Sequence, residues 1–232
     1  MTRRLLLTAA ILGGLFLGVN VVAERVAEGK IADQAQKTFG TKTAPTVEIG
    51  GFPILVNLLQ GTIPTASLEG AGLTVAELDV AKFRIEIEGI RASLSQLTSG
   101  GKISVARLLA QADVTGDAIT RYVRSRDHQV TITVLPGKIR VTGPVPNGGT
   151  GSAEGVPRLI GRILKFEPDA VSVGGKPLTG RARQLAREAL TFEVDVPLLP
   201  GGVKITAVDY RAGYVVLVAK LENGSIDLGK TP

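Results

Sequence analysis

Residues Leu5 to Val22 carry no charge, are rich in Leu and Val, and follow Met1-Thr2-Arg3-Arg4. A run of this length sits at the lower edge of the ~20 residues that span a bilayer as a helix. It exceeds the ~7–15-residue apolar core of an ordinary signal peptide. Arginines before it and none within it fit the retention of positive charge on the cytoplasmic side. The chain after Val22 is therefore expected across a membrane, in a cell envelope or periplasm. Two outcomes fit equally. Val21-Val22-Ala23 offers small residues for cleavage after Ala23, and Glu24-Arg25-Val26-Ala27-Glu28 could instead carry the helix on as a retained anchor. The division is thus 1–23 as signal or anchor and 24–232 as a single domain.

An exported domain can use disulfides, yet this chain has no Cys. Its stability must come from an apolar core, and thiolate catalysis and Cys-based zinc sites are excluded. The net charge of +6 favours anionic surfaces such as lipid headgroups but is no dense basic field. With aromatic residues at 4%, base stacking is disfavoured, so nucleic acid is not an expected partner.

Beyond the run, Ala27, Ile31, Ala35 and Phe39 recur at helical spacing and Gly40 stops the pattern, giving a helix over 24–39. Thr46–Ile49 reads as a strand. Gly50-Gly51-Phe52-Pro53-Ile54-Leu55-Val56-Asn57-Leu58-Leu59-Gln60-Gly61 reads as a short helix with Pro53 in its first turn. Strict alternation makes Lys82–Glu88 a strand with Phe83, Ile85 and Ile87 on one face. Residues 101–114 fit either helix or strand. A helix over 117–124 should bury Ala118, Ile119, Tyr122 and Val123. His128–Val134 and Lys138–Val141 form a hairpin about Pro136-Gly137, and 143–155 reads as a Gly- and Pro-rich loop. Residues 166–173 read as strand, and 180–190 as a helix burying Ala182, Leu185 and Ala189. A last hairpin runs from Val203 through Asp209–Gly213 to Leu221. Its consecutive Val215, Val216, Leu217 and Val218 require cover on both faces. No βαβ spacing appears. The expected class is α+β: a long curved antiparallel sheet wrapped around one or two helices.

Catalytic patterns are missing from the sequence. His128 is the single His and no Gly-x-Ser-x-Gly elbow accompanies it. Asp113, Asp117 and Asp127 match no calcium loop, and no glycine fingerprint marks a phosphate or dinucleotide site. No metal or cofactor is expected, and the chain reads as a non-enzyme. Three basic clusters stand out: Arg158, Arg162 and Lys165 at helical spacing; Arg181, Arg183 and Arg187; and Arg121, Arg124 and Arg126. Each could meet a phosphate.

The export segment, the helix ending at Phe39, the Gly50–Gly61 block, and Leu199-Pro200 leading into Val203-Lys204-Ile205-Thr206 together resemble the LmeA-like phospholipid-binding family of actinobacterial envelopes. The resemblance implies a tubular lipid-binding (TULIP)-like fold, with a helix lying in a bent sheet beside an apolar groove. It implies phosphoinositide-type lipid binding in support of lipomannan elongation, with phospholipid and membrane as partners. On that reading Phe52, Ile54, Leu55, Leu58 and Leu59 line the groove with Val215 and Leu217, while Arg158 and Arg162 hold the headgroup. The alternative is a membrane-tethered scaffold that binds an envelope glycosyltransferase through Gly51–Gly61.

Overall fold

The computed structural model describes residues 25–227, apart from 27, 34, 37–39, 52, 76, 94, 97–100, 147–148 and 196–199. The run Leu5–Val22, Ala23 and Phe52 lie outside the described residues. Among the described residues no helix is long and apolar enough to cross a membrane. Those between 25 and 36 are helical. Ala32 packs on the core below, and the Glu28 carboxylate accepts the Ile49 N–H at 3.0 Å, which ties this stem to the sheet.

Three sheets organise the rest. The largest is six-stranded, in the order β1-β2-β3-β4-β14-β13, and antiparallel throughout. It comprises β1 (Thr46–Gly50), β2 (Thr62–Val75), β3 (Leu78–Arg91), β4 (Lys102–Thr115), β13 (Lys204–Arg211) and β14 (Tyr214–Asp227). Helix α1 (Ile54–Leu59) links β1 to β2. Its entry is closed by Asn57, whose N–H donates to Pro53 O at 3.2 Å and whose Nδ2 donates to Gly51 O at 2.7 Å. Four of the strands are 14 residues long, so the sheet extends roughly 46 Å at about 3.3 Å per residue.

A second sheet holds β5 (Thr131–Leu135), β6 (Lys138–Pro144), β7 (Thr150–Gly155), β10 (Ser172–Val173) and β11 (Lys176–Pro177). A third holds β8 (Arg158–Ile160), β9 (Ile163–Phe166) and β12 (Phe192–Asp195). Helix α2 (Gly116–Arg124) follows β4 directly and joins the long sheet to β5. Thr115 Oγ1 caps it by accepting the Ala118 N–H at 3.1 Å. The buried Thr120 hydroxyl donates to Gly116 O and accepts the Ile132 N–H, each at 2.8 Å, which welds helix to strand. Helix α3 (Gly180–Leu190) packs on β6 and β7.

The long sheet is creased along one line. Pro64, Gly89, Ala106 and Asn223 fall opposite one another across β2, β3, β4 and β14. Gly89 has φ +62° and Asn223 φ +48°, conformations that reverse which face the following side chains occupy. The reversal occurs in every strand at this level. Ile63 gives way to Ala66 and Leu68, Ile90 to Ile87 and Ile85, Val105 to Ala112 and Val114, and Ile226 to Leu221 and Leu217. All of these still pack on the same side. The sheet therefore bends without breaking its apolar face.

Several expectations are corrected. Of residues 101–114, all from Lys102 onward are strand. Crossing the crease puts Ile103, Val105, Leu108 and Ala112 on one side, a spacing that imitates a helix. Residues 143–155 are not loop throughout: β6 runs on to Pro144 and β7 spans Thr150–Gly155. Their glycines make room. A Cβ on Gly143 would stand 3.2 Å from Leu190 Cδ2, and one on Gly155 would stand 3.2 Å from Phe166 Cε2. The strand expected over 166–173 stops at Phe166 and resumes at Ser172 around buried Pro168. In α3 the buried positions are Ala186 and Leu190, with Leu185 half-buried and Ala182 and Ala189 exposed. The helical spacing of Arg158, Arg162 and Lys165 belongs to the β8–β9 hairpin. Helix α2 buries Ala118, Tyr122 and Val123 as expected, with Ile119 half-buried.

Candidate functional site

The two faces of the long sheet differ in chemistry. One carries ion pairs: Arg84 with Glu69 at 2.5 Å and Glu86 at 2.7 Å, and Arg107 with Glu88 at 3.3 Å. A cleft of about 490 Å³ opens here, with Thr46, Glu69, Lys82, Arg84 and Asp113 in its lining. The other face is aliphatic. Cross-strand register sets Phe83-Ala112-Leu217, Ile85-Ala110-Ala219 and Ile87-Leu108-Leu221 in three adjacent rows, with Leu68 beside Ile85 and Ala66 beside Ile87. Every side chain in the rows is apolar.

This face is closed at its ends and open between them. Near the stem, Val47, Ile49, Ile63, Ile90, Ile103 and Val105 form a buried cluster with Ala32. At the far end, Val80, Phe83, Val114 and Ala118 join the core made by α2, α3 and the two smaller sheets. Between the clusters Leu68, Ile85, Ile87, Ala110, Ala112, Leu217 and Leu221 remain only half-buried, with Leu108 and Ala219 buried among them. Ala110, Ala112 and Ala219 stand where larger side chains would fill the surface. In register they make a strip of low side-chain bulk, a shallow trough between the β3 isoleucines and the β14 leucines. A trough walled by aliphatic carbon suits an acyl chain.

The residues expected to line a groove are dispersed. In α1, Leu59 is 86% exposed, and the side chains of Ile54, Leu55 and Leu58 lie outside the description. Val215 is 3% exposed within the far core, opposite Val114, whereas α1 runs into β2 level with Ser225 of β14. That separates α1 from Val215 by roughly 33 Å along the strand. Leu217 lies at the edge of the half-buried stretch. The local signal for the trough is the apolar alternation at 108, 110, 112 and 114, with Ala at 110 and 112, a pattern masked because 101–114 also fits a helix.

Arg158 and Arg162 are exposed on β8 and in the β8–β9 turn, apart from the trough rows. The other cations are mostly engaged. Arg121 pairs with Asp79 at 2.8 Å, Arg124 donates to Val130 O at 3.0 Å, and Arg126 lies over the Tyr122 ring at 3.7 Å. The Arg121 hydrogen bond holds the Asp79 carboxyl below the usual carboxylate range. His128 is half-buried, edge-on to Phe192 at 6.5 Å.

Tyr210 is 7% exposed, and its hydroxyl donates to Pro157 O at 3.2 Å, anchoring the base of the β8–β9 hairpin. Burial pushes its phenol up to about 12. Raised above the ordinary value of about 10, it contributes stability that is complete below pH 10 and lost as pH rises from 10 to 12. Tyr210→Phe should cost about 1 kcal/mol and flatten that alkaline loss, as read by urea melts at pH 8 and pH 11.

A family model described as LmeA-like phospholipid-binding matches residues 18–220. No curated protein and no solved structure matches.

Proposed function

The chain belongs to the LmeA-like phospholipid-binding family, and from that premise we propose that it is a non-enzymatic carrier holding phospholipid acyl chains along the half-buried apolar face of the long sheet. The observation that carries this reading is the trough at Ala110, Ala112 and Ala219, flanked by Ile85, Ile87, Leu217 and Leu221. Removing acyl carbon from water there gives about 0.8 kcal/mol per CH₂ group, enough for stable capture by one or two chains without any covalent step.

The finer assignments belong to the same proposal. The lipid is of phosphatidylinositol type, and the protein works in the cell envelope, held by Leu5–Val22 or released after Ala23. It supports lipomannan or lipoglycan elongation. The stem packed on the sheet and the single apolar side of that sheet support a TULIP-like arrangement. Native mass spectrometry of the full chain, gently extracted, tests the reading. A copurified phospholipid mass, exchangeable for phosphatidylinositol from liposomes, is the expected result. A lipid-free protein that takes up none would refute it.

A second reading draws on Leu59. At 86% exposed with Val56 at 38%, the α1 surface offers an apolar contact to a membrane-bound glycosyltransferase. Leu59→Asp would then abolish partner pull-down and leave lipid uptake unchanged.

A further inference from the structure

The third sheet has one face in the core and one in solvent. Leu164, Phe166, Phe192 and Val194 point inward, with Phe166 and Phe192 stacked at 5.4 Å. The register places Arg158, Ile160, Ile163 and Lys165 together on the opposite face, with Glu193 and Asp195 of β12 in register with Lys165 and Ile163, and Val156 continues the alternation ahead of β8. Val156 is 57% exposed, Ile160 60% and Ile163 38%. These are large aliphatic side chains with strong β propensity, set along one face of the hairpin, Ile160 and Ile163 beside its turn and Val156 at its base.

Charge on this face is uneven. Lys165 is neutralised by Glu193 at 3.4 Å and Glu167 at 3.8 Å, toward β12. Arg158 and Arg162, on the free-edge side and in the turn, form no ion pair among the described residues. Exposed isoleucines beside guanidinium groups that form no ion pair among the described residues match the layering of an anionic bilayer surface, with acyl carbon beneath phosphate. A protein surface offers no such fixed order of layers.

We propose that the outer face of the β8–β9 hairpin docks on an anionic phospholipid surface: Ile160 and Ile163 beside the turn, with Val156 at the base, enter the acyl boundary while Arg158 and Arg162 pair with phosphates. This reassigns the two arginines from the headgroup of a carried lipid to the membrane that gives or receives it. The hairpin stands on the α2 and α3 end of the molecule, away from the stem, and it is distinct from the trough.

The chain contains no Trp, so a single introduced one reports unambiguously. Ile160→Trp and, separately, Val156→Trp are placed in the full chain and mixed with vesicles of brominated phosphatidylglycerol or brominated phosphatidylcholine. Gln111→Trp, on the charged face of the long sheet, controls for tethering by Leu5–Val22. The expected result is quenching of both hairpin reporters in phosphatidylglycerol, little in phosphatidylcholine, and none for Gln111→Trp. Adding Arg158→Glu and Arg162→Glu should raise the half-saturating lipid concentration about tenfold or more. Equal quenching in both lipids overturns the proposal, since apolar insertion alone would explain it. Unquenched hairpin reporters also overturn it and leave the patch to a protein partner. Either failure leaves the acyl-chain reading untouched, because that reading is tested at the trough.

Discussion

Ile85→Glu is expected to abolish phospholipid uptake while the protein stays folded. Ile85 is half-buried in the middle row of the aliphatic face, level with Ala110 and Ala219, and no acid or base lies in that row. A carboxylate there either faces the acyl chain or must be protonated. A charge set into hydrocarbon costs about 2–3 kcal/mol or more, which weakens capture roughly 100-fold. In the lipid-free protein the same side chain keeps water on one side, so folding loses far less. Ala110→Phe makes the complementary test by filling the trough with carbon instead of charge. It should lower uptake without the polar penalty, and thermal stability should hold or rise. Uptake is read by native mass spectrometry and by transfer of fluorescent lipid between liposomes, with far-UV circular dichroism as the folding control. Normal uptake in both variants would place the acyl chains elsewhere.

The largest stability loss is expected from Leu190→Ala. Leu190 closes α3 with no exposed surface, and its two methyl groups fit against Gly143 and Gly151 of the second sheet. Those glycines have no side chains to collapse into the vacated space. The cavity therefore stays open and the cost falls in the upper half of the ~2–5 kcal/mol range for such truncations. For a domain of this size that lowers the midpoint by about 10 °C. Lipid uptake at a temperature well below the new midpoint should be unchanged, since α3 packs on the second sheet and the trough lies on the first. Calorimetry of the purified protein measures the shift.

Those glycines also explain what was hidden in the sequence. Strict alternation over 82–88 and 131–134 was readable because one face is wet there. Helix α2 was readable because Ala118, Ile119, Tyr122 and Val123 obey helical spacing. The stretch 143–155 looked like loop because Gly143, Gly151 and Gly155 are small to admit Leu190 and Phe166, side chains distant in sequence. β2 went unnoticed since Gly70 and Gly72 interrupt its pattern. A Cβ at Gly70 would stand 2.5 Å from the Phe83 ring, and Gly72 has φ +73°. The trough was harder still. It is made by register between Ala110, Ala112 and Ala219, and no local pattern states which residues on separate strands stand opposite. Family resemblance was legible because the apolar run Leu5–Val22 and the Gly50–Gly61 block are each contiguous in the sequence.

The crease through Pro64, Gly89, Ala106 and Asn223 also governs how this chain can change in length. Losing one residue from a single long strand on either side of that line would turn its greasy side chains toward water while its three neighbours kept theirs inward. Only matched losses in all four strands would keep the register. Insertions and deletions in descendants of this sequence should therefore collect in the turns, and the stretch between crease and strand ends should keep a constant residue count even where its side chains drift.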